Sequence, residues 1–126
     1  MPLKKILLID DDSEDTEIFT EALQAVNKDA SLRTELNPSR ALEQLAVSED
    51  LPDIIFLDYN MPSVNGLEFI QRMDRIEKLK HIEVVVISTP PEQVMSQWFE
   101  RNNIKVKYIS KPNSMDELKG MLQELL

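Results

Sequence analysis

Five short apolar runs, each followed by a segment whose apolar positions recur three and four residues apart, divide the chain into alternating strands and helices. Lys4 to Ile9 is nearly continuous in apolar character and stops at Asp10-Asp11-Asp12, which makes it a first strand. Ile18, Phe19, Ala22, Leu23 and Val26 then mark a helix with one buried face. Asp12 or Ser13 can cap it, and Glu14, Asp15 and Glu17 suit the positive end of its dipole. Leu32 to Leu36 alternates apolar and polar residues, as a strand with one solvated side does. Asn37-Pro38 supplies a cap and then a proline at the first helical position, opening a helix that buries Ala41, Leu42 and Leu45.

Leu51-Pro52 breaks the chain before Ile54-Ile55-Phe56-Leu57, a run short enough and apolar enough to be a buried strand ending in the carboxylate of Asp58. After the loop Met61 to Gly66, the positions of Leu67, Phe69, Ile70 and Met73 predict a third helix. Ile82 to Ile87 contains three successive valines and forms the fourth strand, closed by Ser88. Thr89-Pro90-Pro91-Glu92 has capping-box spacing and opens a fourth helix with Val94, Met95, Trp98 and Phe99 on its apolar face. Lys105 to Ile109 alternates again before Ser110-Lys111-Pro112. Ser114-Met115-Asp116-Glu117 is a second capping box, opening a fifth helix that buries Leu118, Met121, Leu122 and Leu125.

Strands alternating with helices imply an α/β fold, a five-stranded parallel sheet doubly wound by five helices. Strands one, three and four read as interior strands buried on both faces, and strands two and five as edges. The order 2-1-3-4-5 satisfies that pattern. In such a sheet the ligand crevice lies at the carboxyl ends of strands one and three, where the strand order reverses. Asp10, Asp11 and Asp58 all fall there.

At 126 residues the chain is expected to be one domain, 1–126, with a core of its own. A net charge of −9 with no compensating basic patch excludes nonspecific nucleic-acid binding. The absence of cysteine excludes disulfides and thiolate metal sites, and only four apolar residues separate Lys5 from Asp10, too few for a signal peptide or a membrane span. A cytoplasmic location is the expectation. His81 and most surface carboxylates need no role beyond solvation.

Two carboxylates about 5 Å apart repel by roughly 3 kcal/mol at an effective dielectric near 20, so three in one crevice call for a compensating charge. A hard divalent cation, Mg2+, suits all-oxygen donors and leaves positions for phosphate oxygens. The crevice therefore fits phosphoryl transfer to a carboxylate. Ser88 can donate its hydroxyl to a phosphoryl oxygen, and Lys111 supplies a mobile positive charge.

Ile-Leu-Leu-Ile-Asp10-Asp11, Leu57-Asp58-Tyr59-Asn60-Met61-Pro62 with Gly66, Val-Val-Ile-Ser88 and Tyr108-Ile-Ser-Lys111-Pro112 together resemble the receiver domain of two-component response regulators, in its single-domain, chemotaxis-receiver-like form with a flavodoxin-like fold. The resemblance implies that Asp58 is the phosphoacceptor, charged by a sensor histidine kinase or a histidine phosphotransfer protein. It implies Mg2+ bound directly by Asp11 and Asp58, by Asp10 largely through water, and by the Asn60 backbone carbonyl. Ser88 and Lys111 would engage the phosphoryl group, Ser88 and Tyr108 would form the switch, and the Lys111-Pro112 bond would be cis. Such a protein is a phosphoacceptor that catalyses its own phosphorylation and dephosphorylation rather than an enzyme acting on a separate substrate. Output would pass to a downstream protein over the fourth helix, fifth strand and fifth helix.

Several positions depart from the family pattern. Thr89 replaces a smaller residue, Pro90 a side chain able to influence the attacking water, and Asn113 a frequent aromatic; Asn102-Asn103-Ile104 lacks the small-residue turn. Three rivals differ in their demands. A flavodoxin-like electron carrier needs a hydroxyl- and glycine-rich loop where Asp10-Asp11-Asp12 stands, and a haloacid dehalogenase-type phosphatase needs a cap insertion and a second acidic pair. A phosphorylation-independent interaction module is the stronger alternative, because Thr89 and Pro90 crowd the site.

Overall fold

The computed structural model describes residues 4–26, 29–58, 66–88, 97, 100–101, 107–110, 112 and 114–126, with the backbone alone at Leu67 and Ser88. Strands β1 (Lys5–Ile9), β2 (Ser31–Glu35), β3 (Ile54–Asp58), β4 (Glu83–Ser88) and β5 (Lys107–Ser110) form one parallel sheet in the order β2-β1-β3-β4-β5. This is the order expected from their burial. β1 is buried from Ile6 to Ile9 and β3 from Ile54 to Leu57, while β2, at the sheet's edge, has only exposed and half-buried positions.

Four α-helices are described: α1 (Ser13–Val26), α2 (Pro38–Val47), α3 (Gly66–Asp74) and α4 (Met115–Leu125), the last being the fifth expected from sequence. The expected helix beginning at Thr89 falls largely outside the described residues, as do the side chains of Trp98 and Phe99; Gln97, Glu100 and Arg101 have helical backbone. Local chemistry sets the helix starts. Asn37 Oδ1 accepts the Ser39 and Arg40 N–H groups at 3.0 and 3.2 Å with Pro38 in the first turn, and Ser114 Oγ accepts the Glu117 N–H at 3.2 Å. A cap of this kind contributes about 1 kcal/mol.

Alternate residues of each strand enter opposite layers. Ile6, Leu8, Ile54, Phe56 and Val85 pack with Phe19, Ala22 and Leu23 of α1 and Leu118 and Leu122 of α4. On the other face Leu7, Ile9, Ile55, Leu57 and Val86 meet Ala41, Leu42 and Leu45 of α2 and Phe69 and Met73 of α3. The Phe19 and Phe56 rings lie 5.0 Å apart at 59°, tying α1 to the centre of the sheet.

Two details differ from the periodicity. Ile18, expected on the buried face of α1, is 45% exposed, and Thr16 is buried in its place with its hydroxyl donated to the Ser13 carbonyl at 2.7 Å. The buried stripe is centred on Phe19, Ala22 and Leu23, which turns Ile18 about 100° away from it. A 3-10 turn at Glu77–Leu79, not anticipated, inserts Leu79 into the α2–α3 layer at 1% exposure.

Candidate functional site

The parallel register aligns Ile9 with Leu57, so the residues that follow, Asp10 and Asp58, emerge side by side at the carboxyl end of the sheet. Asp58 itself pairs with Ile87 of β4. Asp10 is buried, Asp58 half-buried and Asp11 exposed, and one carboxylate oxygen of each lies within 4.8 Å of the others. Two unit charges at that separation repel by about 3.5 kcal/mol at an effective dielectric near 20.

The three consecutive aspartates divide their work. Asp12 caps α1, its Oδ1 accepting the Glu14 N–H at 2.9 Å and the Asp15 N–H at 3.4 Å. Its own N–H donates to Asp10 Oδ1 at 2.9 Å, and the Asp10 N–H donates to the Glu35 carbonyl at 3.2 Å. The strand-to-helix turn thus fixes Asp10 from both sides. The sequence left Asp12 and Ser13 both open as caps, and the structure assigns the role to Asp12.

Against the cluster lies a cavity of about 310 Å³ between the sheet, α1 and α4. Asp10, Asp15 and Asp58 line its polar side, and Leu8, Phe19 and Met115 part of its apolar side. From sequence Asp15 is only a charge suited to the helix dipole. Its place one helical turn beyond Asp12 was the available signal.

The donor set consists of carboxylate oxygens alone, without nitrogen or sulfur, and fits a hard divalent cation. Tyr108 is buried at 6% exposure in the α2–α3 layer with Val86. Ser88 pairs through its backbone with Ser110 at the ends of β4 and β5. The Ser88 hydroxyl, Asn60, Thr89, Pro90, Lys111 with its bond to Pro112, and Asn113 lie outside the described residues.

A family model described as the response regulator receiver domain matches residues 6–123. The chain belongs to this family. The receiver is similar to the response regulator Rcp1 of Synechocystis sp., with 30% identity over 129 residues covering 97% of this chain and 86% of Rcp1. Among solved structures, the phosphorylated cyanobacterial phytochrome response regulator RcpA superimposes with a TM-score of 0.83 at 27% identity, over 98% of this receiver and 91% of that chain. The Mn2+-bound form of Rcp1 does so with a TM-score of 0.78 at 25% identity, over 97% and 91%. No helix among the described residues of the receiver is long and apolar enough to cross a membrane.

Proposed function

We propose that this receiver is a single-domain response regulator, residues 1–126, that takes a phosphoryl group onto Asp58 from a phosphohistidine on a sensor kinase or phosphotransfer protein. The observation that carries the reading is the gathering of Asp10, Asp11 and Asp58 within 4.8 Å at the carboxyl ends of β1 and β3. An oxygen of Asp58 forms the new bond to phosphorus. The P–N bond breaks, and its electron pair stays on the imidazole nitrogen. Mg2+, held by the Asp10, Asp11 and Asp58 carboxylates with the Asn60 carbonyl, would offset the charge that otherwise repels a phosphoryl group.

Asp10, fixed by the Asp12 N–H, keeps its carboxylate turned to the crevice without rearrangement. The Ser88 hydroxyl and the Lys111 ammonium would meet the phosphoryl oxygens, and Ser88 with Tyr108 would carry the change to the output face. That face comprises the helix after β4, β5 and α4, and its partner is a protein. The Mn2+-bound Rcp1 and the phosphorylated RcpA, both similar to this chain, support the cation and the modification. A cytoplasmic setting follows from the kinase partner.

Incubation with Mg2+ and phosphoramidate or acetyl phosphate, followed by intact mass, tests the reading. The wild type gains one phosphoryl group and Asp58→Asn gains none. A wild type that stays unmodified, and does not respond to beryllofluoride, overturns the acceptor role in favour of a phosphorylation-independent interaction module. Uptake that survives Asp58→Asn but is lost in Asp10→Asn points instead to a phosphatase-like nucleophile on β1.

A further inference from the structure

Asp12 is hydrogen-bonded through its side chain, its carbonyl and its N–H. Its Oδ1 accepts the Glu14 and Asp15 N–H groups at 2.9 and 3.4 Å, its carbonyl accepts the Thr16 N–H at 3.1 Å, and its own N–H donates to Asp10 Oδ1 at 2.9 Å. The bonds it accepts close the first turn of α1, and the one it donates reaches the cluster of Asp10, Asp11 and Asp58. Thr16 is buried, with its hydroxyl donated to the Ser13 carbonyl at 2.7 Å, so the turn that Asp12 caps is seated on the core. Asp12 itself is exposed and is not one of the three carboxylates whose oxygens lie within 4.8 Å of one another.

We propose that Asp12 is a positioning residue for the cation site: by capping α1 it holds its own N–H on Asp10 and so sets how tightly Mg2+ binds at Asp10, Asp11 and Asp58. The inference rests on the reading of that cluster as a cation site. An acceptor oxygen at position 12 keeps the Glu14 and Asp15 N–H groups bonded; without it they turn to water and the first turn frays. The Asp12 backbone is freed with them, and its N–H no longer stays on Asp10 Oδ1. A carboxylate that must be ordered when the cation arrives binds it less tightly than one already in place. The coupling runs both ways, so whatever factor the cap adds to cation affinity, bound cation returns to the cap. The acceptor oxygen and not the negative charge is what position 12 requires, because asparagine caps a helix as well as aspartate does.

The Mg2+ dissociation constant, measured by calorimetry in the wild type, Asp12→Ala, Asp12→Asn and Asn37→Ala, tests this. Asp12→Ala is expected to weaken binding about tenfold, the size usual when a partner of a metal ligand is removed. Asp12→Asn, which loses only an exposed and screened charge, should stay within about twofold of the wild type. Asn37→Ala removes the corresponding cap of α2, where Asn37 Oδ1 accepts two N–H groups at 3.0 and 3.2 Å, and should leave the affinity unchanged at a comparable cost in stability. In the wild type, hydrogen exchange of the Glu14 and Asp15 amides should slow about tenfold at saturating Mg2+ while the Ser39 and Arg40 amides keep their rates, a comparison that needs no variant to fold. Equal weakening in Asp12→Asn and Asp12→Ala makes Asp12 a source of charge and overturns the positioning role. So does a loss in Asn37→Ala as large as that in Asp12→Ala, or an exchange rate at Glu14 and Asp15 that responds to Mg2+ no more than at Ser39 and Arg40. A wild type that binds no Mg2+ removes the cation site and the positioning role with it.

Discussion

At the amino ends of the strands, Asp50 lies against the Lys5 ammonium, Asp53 accepts the Lys5 backbone N–H at 2.8 Å, and Glu83 meets Lys107 at 2.9 Å. At the carboxyl ends Asp10, Asp11 and Asp58 instead bring three like charges within 4.8 Å. Both regions are acidic and both close the same parallel sheet. Carboxylates at the amino ends stand singly against a cation or a backbone donor and serve local order, whereas those at the carboxyl ends are gathered into one cluster of like charges. Composition alone, with its net charge of −9, cannot separate the two kinds. Position relative to the strand ends does.

The contrast breaks most sharply in phosphoryl uptake. Asp53→Asn, at the amino ends, should keep the full mass gain from phosphoramidate with Mg2+, while Asp58→Asn or a chelator abolishes it. Next in size is the response to cation. Mg2+ at a hundred times its dissociation constant should stabilise the wild type against urea by about 2.7 kcal/mol, and Asp58→Asn should lose most of that gain. Smaller again is a reversal of sign in chelator. Asp11→Asn relieves like-charge repulsion and should raise stability by about 1 kcal/mol, seen as a higher urea midpoint, while weakening cation binding about tenfold or more.

The smallest effect belongs to the exposed pair Lys5 and Asp50. The hydrogen bond and attraction between them hold the Asp50 carboxyl below its ordinary 3.8 and the Lys5 ammonium above its ordinary 10.5. Its contribution is present between those values, fades as pH falls through the depressed Asp50 value, and fades again as pH rises through the raised Lys5 value. Asp50→Asn should therefore lower the urea midpoint slightly at neutral pH and leave it unchanged in acid below the Asp50 titration. A loss at neutral pH as large as the Asp11→Asn gain would erase the distinction between the two ends.

Much of this is legible in the sequence, because the informative signals are local and periodic. The valine run of β4, the interior character of β1 and β3, and the Asn37-Pro38 and Ser114-to-Glu117 starts all depend on a few neighbouring residues, and they led directly to the strand order and to Asp58 at a strand's end. Features set by how elements meet were not legible. Ile18 is exposed because the buried stripe of α1 runs through Phe19, Ala22 and Leu23, and the period alone does not show where that stripe ends. Leu79 is core because a short turn folds it under α2 and α3, where the sequence offers too few residues to show a period. The division of labour among Asp10, Asp11 and Asp12 is decided by which carboxylate faces the helix and which faces β3. Identical residue types in a row carry no record of that.

The alternation along β3 carries one more consequence. Asp58 shares its parity with Ile54 and Phe56, which belong to the layer beneath α1 and α4, and it opens into the cavity on that side. Inserting or deleting one residue within β3 while its pairing holds would readdress the acceptor, presenting it to α2 and α3 and turning Leu57 toward the aspartates of β1. The site is therefore encoded as much by the count of residues in β3 as by their chemistry, and changes of length there should be less tolerated than changes of side chain.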